Sequence, residues 1–486
     1  MGKKAKIEEL RRKKSLDHSV SDGVAWSVMA GAGDEYLSPY AIHLGASNLE
    51  IGLLSSLPGL VASLAQLKTP ALVEKSGNRK RIIVTNVFLH ALMWAPIVLI
   101  PLVFRSFLGL ILIIFTSIKA FFGGLPGPAW ASLMGDLVPA QERGKYFGFR
   151  NKIVLATFLL ASLSAGFFLN IFTKETLVYG FITLFLIAML FRFISLYYLN
   201  KMYEPKLKID KKRDFTFFDF LKNAYKNNFG RFSLYLALLL LATSIAGPFF
   251  TVFMLRDLKF SYLQYAIVHT TPAIVSFLIL PWTGRLIDRL GTVRLIRMSG
   301  FLIPIVPLLW LLSTKFYFLV LVEIFSGFVW TIFNLCVFTF VFDTVRTPQV
   351  RTFCIAYSNV LNGVAIFIGA TIGGLLVTYV LKNTWLFVSA LQIIFLISGL
   401  VRLLVTLVLL PQIKEERHHI ERGPILDVTG LLRHVGSTGS INMFNNWILR
   451  ELYDVRTSFK YLEDDVLEFS SNITKIVKKR IKKKYS

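Results

Sequence analysis

Twelve apolar stretches recur along this 486-residue chain, over 21–43, 50–73, 82–104, 108–134, 147–172, 176–199, 231–256, 262–284, 295–314, 317–342, 353–380 and 385–410. Each is close to the roughly 20 residues that carry an α-helix across about 30 Å of hydrocarbon. The prediction is an all-α membrane protein with twelve transmembrane helices. Only 17% of residues are charged, against about 25% in soluble domains, which excludes a soluble fold. The first stretch does not read as a cleaved leader, because Asp34 and Glu35 interrupt it and no small-residue cleavage site follows a compact apolar core. Cys336 and Cys354 both fall in apolar surroundings and imply no structural disulfide.

The formal net charge of +25 is distributed to one side. Of the 54 Lys and Arg residues, 45 fall in 1–20, 68–81, 143–152, 201–231, 285–297, 346–351 and 411–486. The alternate connections hold Arg105, Lys174, Arg256, Lys259, Lys315 and Lys382. Such asymmetry is the positive-inside rule, which places both termini in the cytoplasm of a multi-pass cell-membrane protein. The basicity therefore reports topology and attraction to anionic lipid, and no nucleic-acid partner is expected.

The chain also repeats. A shift of 214 residues aligns Ser47 with Ser261, Pro58 with Pro272, Glu74 with Asp288, Gly77 with Gly291 and Lys80 with Arg294. Near a shift of 208, Asp136, Arg143, Asn151 and Gly166 meet Asp343, Arg351, Asn359 and Gly374, and Arg192 pairs with Arg402 near 210. Six duplicated spans give two pseudo-symmetric six-helix bundles, 21–200 and 231–410. A cytoplasmic linker, 201–230, joins them, and a basic segment, 1–20, and a tail, 411–486, flank them. Internal repeats of this kind mark secondary transporters, with the site between the halves near the bilayer midplane.

The stretch "GRLIDRLGTVR", Gly284 to Arg294, resembles the signature loop of the major facilitator superfamily in Gly284, Leu286, Asp288, Arg289, Gly291 and Arg294. Its first-half copy, "PALVEKSGNRK", departs from that pattern at Pro70 and Glu74. "GDLVPAQERGKYFGFRN" resembles the superfamily's connection between the fourth and fifth spans. The resemblance covers about 21–410 and implies bundles that rock about a central site. It leaves the cargo open.

Gly77 and Gly291 suit a sharp turn between helices. The fifth and eleventh helices are predicted to follow Pro139 and Pro348, whose N-terminal dipoles, with Arg143 and Arg351, would attract Asp288 and Glu74 when the cytoplasmic side closes. The alternative is that these charges, with Arg289, only anchor topology. Arg192 and Arg402 are expected to snorkel from the span ends to the headgroups. Asp34 and Glu35 in the first span and Lys119 in the fourth each cost about 2.5–3.5 kcal/mol to insert. Helical neighbours differ by about 100°, so both acids cannot face Lys119. Proton coupling, contact with a charged substrate and a structural salt bridge are all open for this trio. Glu323, Asn334, Asn359 and Asn362 are weaker site candidates; Trp26, Tyr36 and Tyr40 read either as cavity liners or as interface anchors; and His43, His90 and His269, each standing alone in the sequence, read as satisfied polar residues rather than proton relays.

No phosphate-cradling Gly-x-x-x-x-Gly-Lys-Ser/Thr, His-Glu-x-x-His, Cys-x-x-Cys or Gly-x-Ser-x-Gly occurs. Neither an enzyme nor a cofactor or metal protein is predicted. The glycine–proline motif that marks the fifth helix of drug/proton antiporters is also missing from "IVLATFLLASLSAGFF". In the tail, apolar residues from Ile448 to Ile476 keep a heptad rhythm within a predicted amphipathic helix, 441–477. That helix suits either the inner leaflet or self-association and a protein partner through 448–476. The function read from the sequence is secondary transport of a small organic solute by alternating access, with a proton or another solute as the coupled species. The alternatives are an uncoupled facilitator and a non-transporting receptor or scaffold that signals through its tail.

Overall fold

A computed structural model describes residues 3–139, 142–205, 220, 222, 225–345, 348–380 and 389–415, apart from the side chains of 3–7, 144, 145, 281, 285, 288, 289, 348–352 and 380. The chain divides into two compact units, Met1–His418 and His419–Ser486. All twelve spans belong to the first, whereas the heptad segment and most of the linker lie outside the described residues.

The described elements are helical. The first span is a helix from Lys3 to Ala32, a tight turn over Asp34–Tyr36 and a short helix, Leu37–His43. The predicted basic segment is thus already helical from Lys3. The second span is Asn48–Ser76; the third, Arg79–Leu92 and Trp94–Val103; the fourth, Leu108–Gly124 and Pro126–Leu137. The fifth is Arg143–Leu169 and the sixth Leu177–Lys201. In the second half they are Asn228–Val252, Tyr262–Leu290, Thr292–Leu302 with Ile305–Leu309, Phe316–Thr344, Pro348–Leu375 and Ala390–Leu409. Eleven of these segments are long and apolar enough to cross a membrane. The first span, broken and charged, completes the set of twelve. The break in the third span falls at Met93, one turn before Pro96, and those in the fourth and ninth fall at Pro126 and Pro304; each ring removes a helical donor and crowds the preceding turn.

The duplication is visible atom by atom. Ser47 and Glu50 form a capping box at the second span, with Ser47 N donating to Glu50 Oε2 at 2.8 Å. Ser261 and Gln264 form the same box at the eighth, with Ser261 N donating to Gln264 Oε1 at 2.9 Å. Gly77 and Gly291 end those helices at φ 64° and 86°, where a Cβ would be strained.

Packing distinguishes the two membrane faces. On the face opposite the basic loops, one core is shared by both bundles. It runs from Tyr36, Ile51 and Phe185 to Phe249, Tyr265 and Trp310. On the basic side the bundles have separate cores, one around Val87, Leu133 and Leu199, the other around Tyr235, Val293 and Phe333. Small residues let backbones meet on the shared face: a Cβ on Gly52 would lie 2.8 Å from Ala370 O, and one on Gly166 would lie 2.5 Å from Ala266 Cβ.

Candidate functional site

The break in the first span falls at Gly33. Its Cα is so closely surrounded that a Cβ would meet Met29 O, Ala188 Cβ and Trp94 Cη2, each at 2.7 Å. The helix stops there, and the next turn presents two carboxylates in different directions. Asp34 pairs with Lys119 of the fourth span. Lys119 is 4% exposed and its ammonium also lies 3.6 Å above the ring of Trp94. Desolvation is thereby opposed by an ion pair and by the ring quadrupole. Asp34 keeps a side-chain exposure of 39%, so one face of the carboxylate remains open.

Glu35 points across the bundle interface. Its Oε2 lies 3.0 Å from His269 Nδ1 of the eighth span, and Tyr265 OH donates to Glu35 O at 3.4 Å. Nearby, Arg256 Nη2 donates to Asn48 Oδ1 at 2.6 Å, a second polar link between bundles on the same face. His269 therefore has a polar partner. So does His90, whose Nδ1 accepts from Arg192 Nε at 3.2 Å. Tyr36 and Tyr40 do not line a cavity: both are fully buried, Tyr36 OH donating to Ser162 O at 2.7 Å and Tyr40 packing at a tilt on Phe181 and edge-to-face on Phe185. Trp26 is 43% exposed.

Arg192 and Arg402 do not snorkel. They are 6% and 2% exposed. Arg192 also donates to Ser195 Oγ at 3.1 Å, which donates to Asp22 Oδ1 at 2.6 Å, and Arg150 Nη2 lies 3.7 Å from Asp22 Oδ2. Arg402 donates to Ser398 Oγ at 3.1 Å and Thr243 O at 3.4 Å. Burial is tolerated because every guanidinium has fixed acceptors. Asp22 and Arg150 were not singled out by sequence; their positions near a span end hid a partnership that only tertiary packing creates.

Between the eighth and tenth spans lies a cavity of about 400 Å³ lined by Ala273, Ser276, Trp330, Thr331, Asn334 and Phe338, among others. Its size and mixed lining are those of small-molecule sites, roughly 300–1,000 Å³. Asn334 is thus on a cavity wall. Asn359 is exposed on the eleventh span, and Asn362 Oδ1 is buried there with no hydrogen-bond partner among the described residues. Glu323 is held by Trp310, whose Nε1 donates to Oε1 at 3.1 Å. No cluster of three or more His, Cys, Asp or Glu suited to a metal occurs among the described residues.

On the basic side, Arg79 is 1% exposed and binds Asp136 Oδ2 at 2.6 Å and Ser132 Oγ at 3.1 Å. Glu204 caps the third span by accepting from Arg79 N at 2.7 Å. The second half repeats this: Thr292 Oγ1 donates to Asp343 at 2.8 Å, and Glu415 accepts from Val293 N at 2.7 Å. Glu74 is exposed and makes no ion pair among the described residues, while Arg143 donates to Gly135 O at 2.7 Å within its own bundle. Gly284 faces open space. The side chains of Asp288, Arg289 and Arg351 lie outside the described residues.

The Major Facilitator Superfamily family model matches residues 23–345 and 232–450. Curated proteins give no sequence match. Among solved structures, the nucleoside transporter NupG is 15% identical, with a TM-score of 0.57 over 83% of this chain and 99% of that one. An auto-inhibited POT-family peptide transporter is 11% identical, with a TM-score of 0.65 over 81% and 96%. The xylose transporter XylE from E. coli, in a partially occluded inward-open conformation, is 12% identical, with a TM-score of 0.59 over 83% and 98%. At these identities the likeness is one of fold, and with the family match spanning most of the sequence the chain belongs to the Major Facilitator Superfamily, as a membrane transporter rather than an enzyme.

Proposed function

We propose that this protein moves a small organic solute across the cell membrane by alternating access, with a proton as the coupled species. The basic face is read as cytoplasmic, with both termini on it, from the distribution of Lys and Arg. The observation that carries the reading is the single core shared by the bundles on the far face, against two separate cores on the basic face. Such packing is that of a carrier shut outside and open inside. The opposite state requires the far-side contacts to part and the basic-side loops to meet. Asp288, Glu74, Arg143 and Arg351 are the proposed latch of that second state, which accords with Glu74 making no ion pair among the described residues.

Coupling is assigned to Asp34–Lys119 and Glu35–His269. Glu35–His269 bridges the parts that must separate, so its protonation state acts directly on the outer closure. A charged imidazolium makes that contact an ion pair, and a neutral one leaves no charge attraction there. Asp34, Lys119, Tyr36 and Tyr265 are the other titratable groups close to the pair. One charge moving through 100 mV supplies about 2.3 kcal/mol, enough to sustain a substantial solute gradient.

The test is proteoliposomes containing a pH dye, challenged with pooled nucleosides, pentoses, dipeptides and organic amines. Solute-driven proton movement with one pool, lost in Glu35→Gln, is expected. Flux that ignores a collapsed proton gradient, with Asp34→Asn and Glu35→Gln both harmless, would leave an uncoupled facilitator.

A further inference from the structure

The cavity between the eighth and tenth spans has a chemical character that narrows its occupant. On the eighth span His269, Ala273, Ser276 and Leu280 recur at spacings of 4, 3 and 4, which is one helical face. Ala273, Ser276 and Leu280 line the cavity, and His269 stands one turn above them, about 6 Å further from the basic side. The lipid face of this helix lies elsewhere, at the exposed Ile274 and Leu278. The cavity thus opens on the same face of the eighth span as the Glu35–His269 contact, away from Ile274 and Leu278.

Its walls are mostly apolar and aromatic, from Trp330 and Phe338, with few polar groups. Two of these, the Ser276 hydroxyl and the Asn334 amide, make no hydrogen bond among the described residues, so they have capacity to spare. At the upper end two carboxylates, Asp34 and Glu35, face one ammonium and one imidazole. Lys119 offers nothing to an incoming anion, since it is buried behind Asp34 and against Trp94. Whenever His269 is neutral, the group carries one excess negative charge.

We propose that this cavity binds an amphipathic aromatic amine. Its ring packs against Trp330 in the upper part of the cavity, a polar edge meets Ser276, and its ammonium takes the place of the His269 proton on Glu35. The assignment deepens the transport reading and rests on it for the cavity to be a transport site, but the charge selectivity is testable on the resting protein.

Three probes share an indole body and differ in charge: tryptamine, the neutral tryptophol and anionic indole-3-acetate. Thermal stability of the detergent-purified protein reports each binding, since a ligand of the folded state raises the melting temperature. Tryptamine is expected to give the largest shift and indole-3-acetate none. Glu35→Gln reduces tryptamine affinity about tenfold or more, the loss of a hydrogen bond to a charged group. Trp330→Ala weakens tryptamine and tryptophol alike. Equal shifts from all three probes, a preference for the anion, or no shift with tryptamine overturns the assignment. If Glu35→Gln fails to fold, the ranking of the three probes on the unaltered protein decides alone. Tryptamine binding without flux in any vesicle assay sinks the transport reading and leaves the site, while solute-driven flux without amine preference does the reverse.

Discussion

Replacing Asp34 by Asn and replacing Lys119 by Met remove the same ion pair, yet they are predicted to have unequal effects. In Asp34→Asn the ammonium stays behind at 4% exposure with no counter-ion. Breaking a buried pair in this way costs about 3–5 kcal/mol. Trp94, 3.6 Å below the ammonium, retains about 2 kcal/mol of cation–π attraction in a desolvated setting. The net loss is then about 1–3 kcal/mol, a shift of roughly 5–150-fold in the folding equilibrium. In Lys119→Met the residue left alone is Asp34, whose 39% side-chain exposure lets water reach it. The methionine still fills the space over Trp94, so the loss is expected to stay below about 1 kcal/mol. The double variant should recover most of what Asp34→Asn loses, because no stranded charge remains. Melting of the purified single and double variants, analysed as a double-mutant cycle, measures all three. If Lys119→Met proves the more damaging, or the double variant is as unstable as Asp34→Asn, the view of Lys119 as a charge neutralised in place is wrong.

Three further outcomes follow from the packing. Arg79→Met should destabilise the first bundle by about 3 kcal/mol, the lower end for a broken buried pair because Asp136 is half-exposed. Arg79→Lys should not restore it, since one ammonium cannot serve Asp136, Ser132 and Pro205 together; melting of both variants checks this. Gly52→Ala drives a methyl into Ala370 O of the opposite bundle, so it should part the far face while leaving each bundle folded; thiol labelling of a far-side cysteine should rise, and unchanged labelling counts against that contact as a closure point. Asp288→Asn is expected to disturb the inward/outward balance more than Glu74→Gln, because the second-half loop keeps the fuller motif; equal effects, or none from Asp288→Asn, leave those acids only an anchoring role.

The spans, their number and the duplication are legible in the sequence because insertion into hydrocarbon imposes a length and a polarity that no tertiary contact can relax. Charges that interrupt such spans are legible for the same reason, and Asp34, Glu35 and Lys119 stand out without coordinates. Their partners do not. The 100° step between Asp34 and Glu35 says that the two acids diverge, but His269, 234 positions from Glu35, is brought to it only by bundle docking. Arg192 and Arg402 mislead for a related reason. A basic residue near a span end resembles one reaching for headgroups, and only the serines one turn away on the same helix, Ser195 and Ser398, hint at internal solvation. The capping glutamates Glu204 and Glu415 sit just past the sixth and twelfth spans, where composition reads simply as a loop.

Alternating access governed by the Glu35–His269 bridge is tested most directly by paired distance measurements on one protein. Spin labels at the exposed Ile171 and Tyr317 report the far face, and labels at the exposed Lys75 and Tyr225 report the basic face. Acidic buffer is predicted to hold the first distance short and the second long. Alkaline buffer should lengthen the first while shortening the second, and Glu35→Gln should abolish that response. Distances that ignore pH, or that lengthen and shorten together on the two faces, would contradict the mechanism.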